Sequence, residues 1–315
     1  MEMNPTREEA LRGEPMTRSG RRAQDNLTIF LFILPSLILF LVFLIYPIFQ
    51  SIYYSFFNWK GFGPAVDFVA LGNYKDILTD KVFLLALKNG FLIVILSLVV
   101  QLPFALGLAI MVGRKLPGRT IFRTIFFMPY VFSEVMGAIM WLNLYNPDPD
   151  RGLINALLIL IPGVEPQAWL GNTETVLYCL FVVLTWKYFG FHMLLFMTGL
   201  QNIPTELEEA AVIDGANRRQ LLTNIILPLL GSTVRISAYL SILGSLQQFI
   251  LVWVMTHGGP VNASEVMATY MYRFGFVRFS LGYGSAVAIL MFLICLAISL
   301  IYQRLAPQHE YLGSN

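Results

Sequence analysis

Apolar residues gather in six runs, at about 27–46, 89–112, 125–144, 176–200, 229–255 and 284–302. Each approaches the ~20 residues that a bilayer-spanning helix needs. The first run is too long for a signal-peptide core, and no small-x-small cleavage site follows it. It reads as a retained span, with a kink expected at Pro35; the third run carries Pro129 and Glu134. Between the first two runs, Tyr53, Tyr54, Phe56, Phe57 and Trp59 form an aromatic cluster suited to a membrane–water interface. Between the third and fourth, the turn-rich stretch Asn146-Pro147-Asp148-Pro149-Asp150 leads into Gly152-Leu153-Ile154-Asn155. That apolar segment is too short to span and is expected to lie on the outer surface. The pattern predicts an all-α integral membrane protein. A polar cytoplasmic tail covers 1–26, a six-helix domain covers 27–303, and a second cytoplasmic tail covers 304–315.

The longest interruption lies between the fourth and fifth runs, from Asn202 to Pro228. It reads as two short helices and a forced turn. Asn202 is placed to cap the first helix, with Pro204 at an early helical position. Glu206, Glu208 and Glu209 load acid near the positive helix end. Leu207, Ala210 and Ala211 share one face, which Ala keeps low enough for another backbone to approach. Gly215 suits a left-handed helix stop. Arg218 and Arg219 open the next helix, which Pro228 interrupts. A small, apolar, acid-flanked knuckle suits docking into a cleft on a soluble partner.

Composition agrees with the pattern. The chain is 57% hydrophobic and 13% charged, against about a quarter charged in soluble domains. Mean hydropathy is +0.66. Cys179 and Cys295 both sit in apolar runs and read as buried hydrophobes. His192, His257 and His309 have no metal-ligand spacing, so no metal site is assigned. No phosphate-binding loop is present, so any ATP chemistry must come from another chain. Nothing in the charge pattern points to nucleic acid.

Charge placement orients the spans. The N-terminal tail, the loop bearing Arg114, Lys115, Arg119 and Arg123, the flanks bearing Arg218, Arg219 and Arg235, and Arg304 hold thirteen basic residues; the opposite side holds seven. Excess Lys and Arg mark the cytoplasmic side. Both termini and the 202–228 loop are therefore expected in the cytoplasm.

Glu209-Ala210-Ala211, then Asp214-Gly215-Ala216, then Ile226-Leu227-Pro228 resembles the cytoplasmic signature loop of binding-protein-dependent ABC importer permeases. Pro129-Tyr130-Val131, Trp141, Asn146-Pro147, Gly152-Leu153-Ile154-Asn155, Trp169-Leu170-Gly171, Gly199-Leu200-Gln201 and Thr256 with Gly258-Gly259-Pro260 resemble the family's carbohydrate-uptake branch. The resemblance implies a plain six-helix member with the type I importer permease fold, in a prokaryotic plasma membrane. It implies that Glu209, Ala210, Ala211, Asp214, Gly215, Ala216 and Pro228 form an ATPase-coupling loop. It also implies a second permease in a heterodimer, a cytoplasmic ATPase dimer that binds the ATP and magnesium, and an extracytoplasmic solute-binding protein. This chain would hold no cofactor and perform no catalysis. A non-sugar polar solute such as a glycerophosphate or polyol is an alternative cargo, and a secondary transporter is an alternative class.

Intramembrane polar residues mark functional candidates. Glu134 and Lys187 suit pairing with each other or with the second permease. On the fifth run, Ser237, Ser241, Gly244, Ser245 and Gln248 fall within roughly a third of the helix circumference. Helix packing and a substrate path both account for the serines, since small residues favour helix contacts. The path reading takes Ser241, Ser245 and Gln248 for exchangeable hydrogen bonds, and Phe249, Tyr188 and Trp186 for flat apolar surfaces.

Overall fold

A computed structural model describes residues 18–113 and 118–305. The tail up to residue 17, Arg114 and Lys115 of the basic loop, and the C-terminal residues after Leu305 lie outside the described residues. Two compact units are distinguished, residues 1–53 and 54–315. Among the described residues the first is helix α1, which begins at Arg18, inside the expected tail, and runs through a π-helical turn at Leu41–Ile45 into Tyr46–Tyr54, whose last residue opens the second unit. Pro35 lies within it without ending it.

The second unit is helical among the described residues, apart from one isolated antiparallel bridge between Phe57 and Phe68. It opens with a short helix α2 (Gly72–Thr79) and a long α3 (Lys81–Val112). Asp80 starts α3 by accepting the amides of Val82 and Phe83 at 2.6 and 3.2 Å. The third apolar run is not one helix. It divides into α4 (Arg119–Val131) and α5 (Glu134–Leu144), which meet at 96°. Pro129 sits inside α4 and the break falls after it, at Phe132 and Ser133. A surface helix α6 (Leu153–Leu158) precedes α7 (Val176–Gln201). Next come α8 (Thr205–Ile213), α9 (Arg218–Leu229) and α10 (Gly231–Leu246), the last two meeting at 64°. The fifth run ends in a separate helix α11 (Ile250–Thr256), because α10 stops at Gln247. A short helix α12 (Met267–Tyr272), which the apolar pattern does not predict, continues into a π turn before α13 (Leu281–Leu305).

Helix α7 lies at the centre: 61% of its apolar window is buried, against 17% for α13. At one end Leu180, Val183 and Leu184 of α7 pack with Ala138 of α5 and with Leu251, Val252 and Met255 of α11. At the other, Met193, Phe196 and Leu200 pack with Ala105, Ala109 and Val112 of α3. A third cluster joins α3, α10, α12 and α13 through Phe83, Leu246, Tyr270 and Val287. Glycines permit the closest approaches. A Cβ at Gly190 would collide with the Phe126 carbonyl of α4, and one at Gly199 with Thr233 and Leu230.

The turns around α6 are organised by one side chain. Asn155 is fully buried. Its amide donates to the carbonyls of Asn146, Pro147 and Gln167 at 3.0, 3.2 and 2.9 Å. Its Oδ1 accepts from Gln167 N and Trp169 Nε1, both at 3.0 Å. The separate sequence signatures Asn146-Pro147, Gly152–Asn155 and Trp169 are thus one hydrogen-bonded knot. Asn155→Ala leaves several buried groups unpaired, at about 1–3 kcal/mol each. A lowered thermal midpoint of the purified membrane protein is the expected outcome, while Asn143→Ala, on an exposed helix face, leaves the midpoint in place.

Candidate functional site

The stretch between α7 and α10 folds as an exposed helical hairpin. Asn202 does not cap α8. It ends α7 in helical conformation, its amide bonded to the carbonyls of Thr198 and Gly199 at 3.3 and 3.2 Å. Pro204 takes the position before α8. The fourth apolar helix runs on far enough to absorb the residue that composition assigns to the next. Ile203, 5% exposed, anchors the turn beside Leu200 and Leu230.

The turn itself is built as expected. Gly215 has φ +87°, the region where a side chain is strained. The amide of Asp214 bonds to Ala210 O at 2.9 Å, that of Gly215 to Val212 O at 3.0 Å, and that of Ala216 to Ala211 O at 2.9 Å, closing the end of α8. Asn217 then starts α9 with a reciprocal capping box. Its Oδ1 accepts from Gln220 N at 3.0 Å, and Gln220 Oε1 accepts from Asn217 N at 2.9 Å. The Asn-x-x-Gln spacing was available in the sequence as a signal for that box. Glu209, Ala210, Asp214 and Pro228 are exposed, and Ala211 and Ala216 are half-buried. Leu207, Val212 and Ile213 are exposed, Ile213 at 84%. The hairpin presents apolar side chains beside carboxylates, on a backbone fixed by its own caps.

The polar stripe of the fifth run faces inward. Ser237, Ser241, Ser245 and Gln248 are all buried. Ser237 Oγ lies 2.7 Å from His192 Nδ1 on α7, and Ser245 Oγ donates to Ser97 Oγ on α3 at 3.2 Å. Ser241 Oγ has no hydrogen-bond partner among the described residues. Gly244 differs: a Cβ there would meet open space. The aromatic residues fall into different ring clusters. Phe249 joins Trp253 and Tyr272, with centroids 6.0 and 5.1 Å away. Tyr188 packs edge-on to Tyr130 at 6.0 Å and donates to Glu134. Trp186 packs against Trp141 at 5.8 Å.

At the end of the bundle away from the hairpin, the residues after Thr256 form a closed loop. Fully buried Glu265 pairs with Arg273 at 2.6 Å. Burial pushes the Glu265 carboxyl up from the usual range, and the Arg273 charge opposes that shift. Arg273 also donates to Asn262 Oδ1 at 2.9 Å and to the His257 carbonyl at 2.6 Å. Asn89 donates to the carbonyls of Ala263 and Glu265, both at 2.9 Å. Gly258, at φ +81°, leaves room for the Glu265 carboxylate, which a Cβ would strike. Sequence pattern missed Glu265, Arg273 and Asn89 as a set, because their partners are distant in the chain. A cavity of about 370 Å³ opens at the same end, with Tyr145, Asn146, Trp169 and Met255 in its wall.

Fold and hairpin together define a class: a multi-pass helical membrane protein with an exposed, self-capped helical hairpin between two spans. The chain belongs to the family of binding-protein-dependent transport system inner membrane components, whose model matches residues 101–310. It is 35% identical over 285 residues to a probable ABC transporter permease protein of Bacillus subtilis, covering 89% of this chain and 96% of that one. It is 31% identical over 321 residues to a diacetylchitobiose uptake system permease protein of Streptomyces coelicolor, covering 96% and 89%. A chain of a bacterial ABC transporter involved in the import of the acidic polysaccharide alginate shares the fold, with a TM-score of 0.82 at 23% identity over 93% of this chain and all of that one. The protein is an ABC importer permease with the type I fold, and a transport component by family.

The burial of Ser241 generates a prediction. Ser241→Leu adds bulk at a buried position on α10, which costs about 1–3 kcal/mol where the core cannot give. Solubilised yield is expected to fall, while Gly244→Ala, pointing into open space, keeps its yield.

Proposed function

We propose that this chain forms half of the translocation path of an importer for a sugar or oligosaccharide. A second permease, in a heterodimer, completes the path. An extracytoplasmic binding protein delivers the cargo, and a cytoplasmic ATPase dimer, which binds the ATP and magnesium, drives the cycle; this chain catalyses nothing itself. The observation that carries the reading is the exposed, self-capped hairpin of α8 and α9. Its apolar tip and flanking carboxylates suit a cleft in a soluble partner, and its backbone is rigid enough to transmit a displacement. The excess of Arg and Lys on the hairpin side supports a cytoplasmic hairpin and cytoplasmic termini in a prokaryotic plasma membrane. The carbohydrate cargo is supported by the diacetylchitobiose uptake relative.

The coupling role assigns Glu209, Ala210, Ala211, Asp214, Gly215, Ala216 and Pro228 to the ATPase contact. Gly215→Val forces a β-branched residue to positive φ and misaligns α8 against α9. Glu209→Lys reverses the charge of the docking face. Each is expected to weaken ATPase association or to uncouple hydrolysis from uptake, with membrane insertion retained. Uptake in the reconstituted complex is measured with labelled glycosides, a glycerophosphate and a polyol. Normal uptake in the doubly substituted protein removes the loop from the mechanism. Uptake of the glycerophosphate alone replaces the sugar reading.

The cargo path is assigned to Ser241, Ser245, Gln248, Phe249 and Tyr188. A neutral hydrogen bond contributes on the order of 1 kcal/mol. Gln248→Leu is therefore expected to lower uptake per assembled complex by roughly tenfold or less. Gln248 itself lies in the break between α10 and α11, and an unchanged value makes the serine stripe of α10 a helix contact only.

A further inference from the structure

The break between α4 and α5 raises a question of hydrogen bonding. Phe132 and Ser133 are extended, with ψ 149° and 140°, so the helical ladder stops there. The last carbonyls of α4 lose their intrahelical partners. Inside a bilayer no water replaces them, and each orphan is costly. One side chain takes up two of them, together with the carbonyl of Phe132 in the break itself. Lys187 of α7, 3% exposed, donates through Nζ to the carbonyls of Pro129 and Tyr130, each at 3.0 Å, and to that of Phe132. An ammonium has three donors, and three carbonyls receive them. They lie at the negative end of the α4 dipole, where a cation is favoured.

The neighbouring residues hold the other side of the break. Tyr188 donates to the Glu134 carboxylate, and Glu134 stands in the first turn of α5, at that helix's positive end. Trp186 rests against Gly137 of α5, where a Cβ would lie 3.4 Å from its ring. Gly190 lets the α4 backbone touch α7 at Phe126. Residues 186–190 thus form a saddle that grips both halves of the bent span.

We infer that Lys187 is a positioning residue for transport, holding the third span in its broken form. A continuous third helix would bond its own carbonyls and strand a buried charge on α7, so the lysine favours the bend and penalises the straight alternative. The bend fixes α5, and α5 packs on α11 through Ala138 and Leu251, just before the Glu265–Arg273 loop. The outer halves of the third and fifth spans are therefore set by one ammonium group. The transport half of this inference rests on the importer reading; the structural half does not.

The test uses the assembled complex with spin labels at Thr124→Cys on α4 and Asn143→Cys on α5; native Cys179 and Cys295 are buried. The unsubstituted chain should give one narrow inter-label distance. Lys187→Met should broaden or shift it, and lower uptake per complex by about tenfold or more, as loss of a buried charged hydrogen-bond partner implies. An unchanged distance in assembled Lys187→Met overturns the inference, since a residue that only fills space alters yield and not the distribution. If Lys187→Met does not assemble, Lys187→Gln is measured instead, since its shorter, uncharged amide has two donors for the three carbonyls. A broadened distance there sustains the inference and an unchanged one overturns it. Absence of uptake in the unsubstituted complex counts against the importer reading and leaves the distance result standing.

Discussion

Backbone satisfaction without water is the constraint on which this structure depends. In hydrocarbon each unpaired amide or carbonyl costs several kcal/mol. A helix meets that demand alone, but a broken helix does not. Two of the six apolar runs are broken, one after Val131 and one after Leu246. At the first break the exposed carbonyls are taken by Lys187; near the second, the chain returns through a loop held by Asn89, Arg273 and Glu265. Lys187, and Arg273 through the His257 carbonyl, thus stand in for missing backbone partners.

The same constraint explains which parts were legible in the sequence. Run lengths identify the spans because helices in lipid must be long and apolar, and α7 and α13 fall within a few residues of their expected limits. The turn at Gly215 was legible because one residue type suits that conformation. The divisions of the third and fifth runs were not, because broken and continuous helices share one composition. The 96° break of the third run falls after Pro129 and depends on Lys187, 55 residues further along the chain. The serines of α10 read equally as path and packing, because their partners Ser97 and His192 belong to other helices. The central position of α7 was hidden too, since its mean apolar character resembles that of the less buried α13.

Helix α7 also explains how the two ends of the second unit form one mechanical body. Its last turn packs with Ile203 and Leu230 at the root of the hairpin. Lys187 lies fourteen residues earlier on the same helix, about 21 Å away at 1.5 Å per residue. The helix has no proline and no break between these points. Gly190 and Gly199 press it against α4 and α10, so it has little freedom to bend independently. The hairpin root and the Lys187 saddle therefore sit on one continuous helical rod. What the saddle holds is a bend, which relative motion of two helices can open or tighten. The hairpin, the rod and the joint are all carried by continuous chain and buried contacts within the second unit.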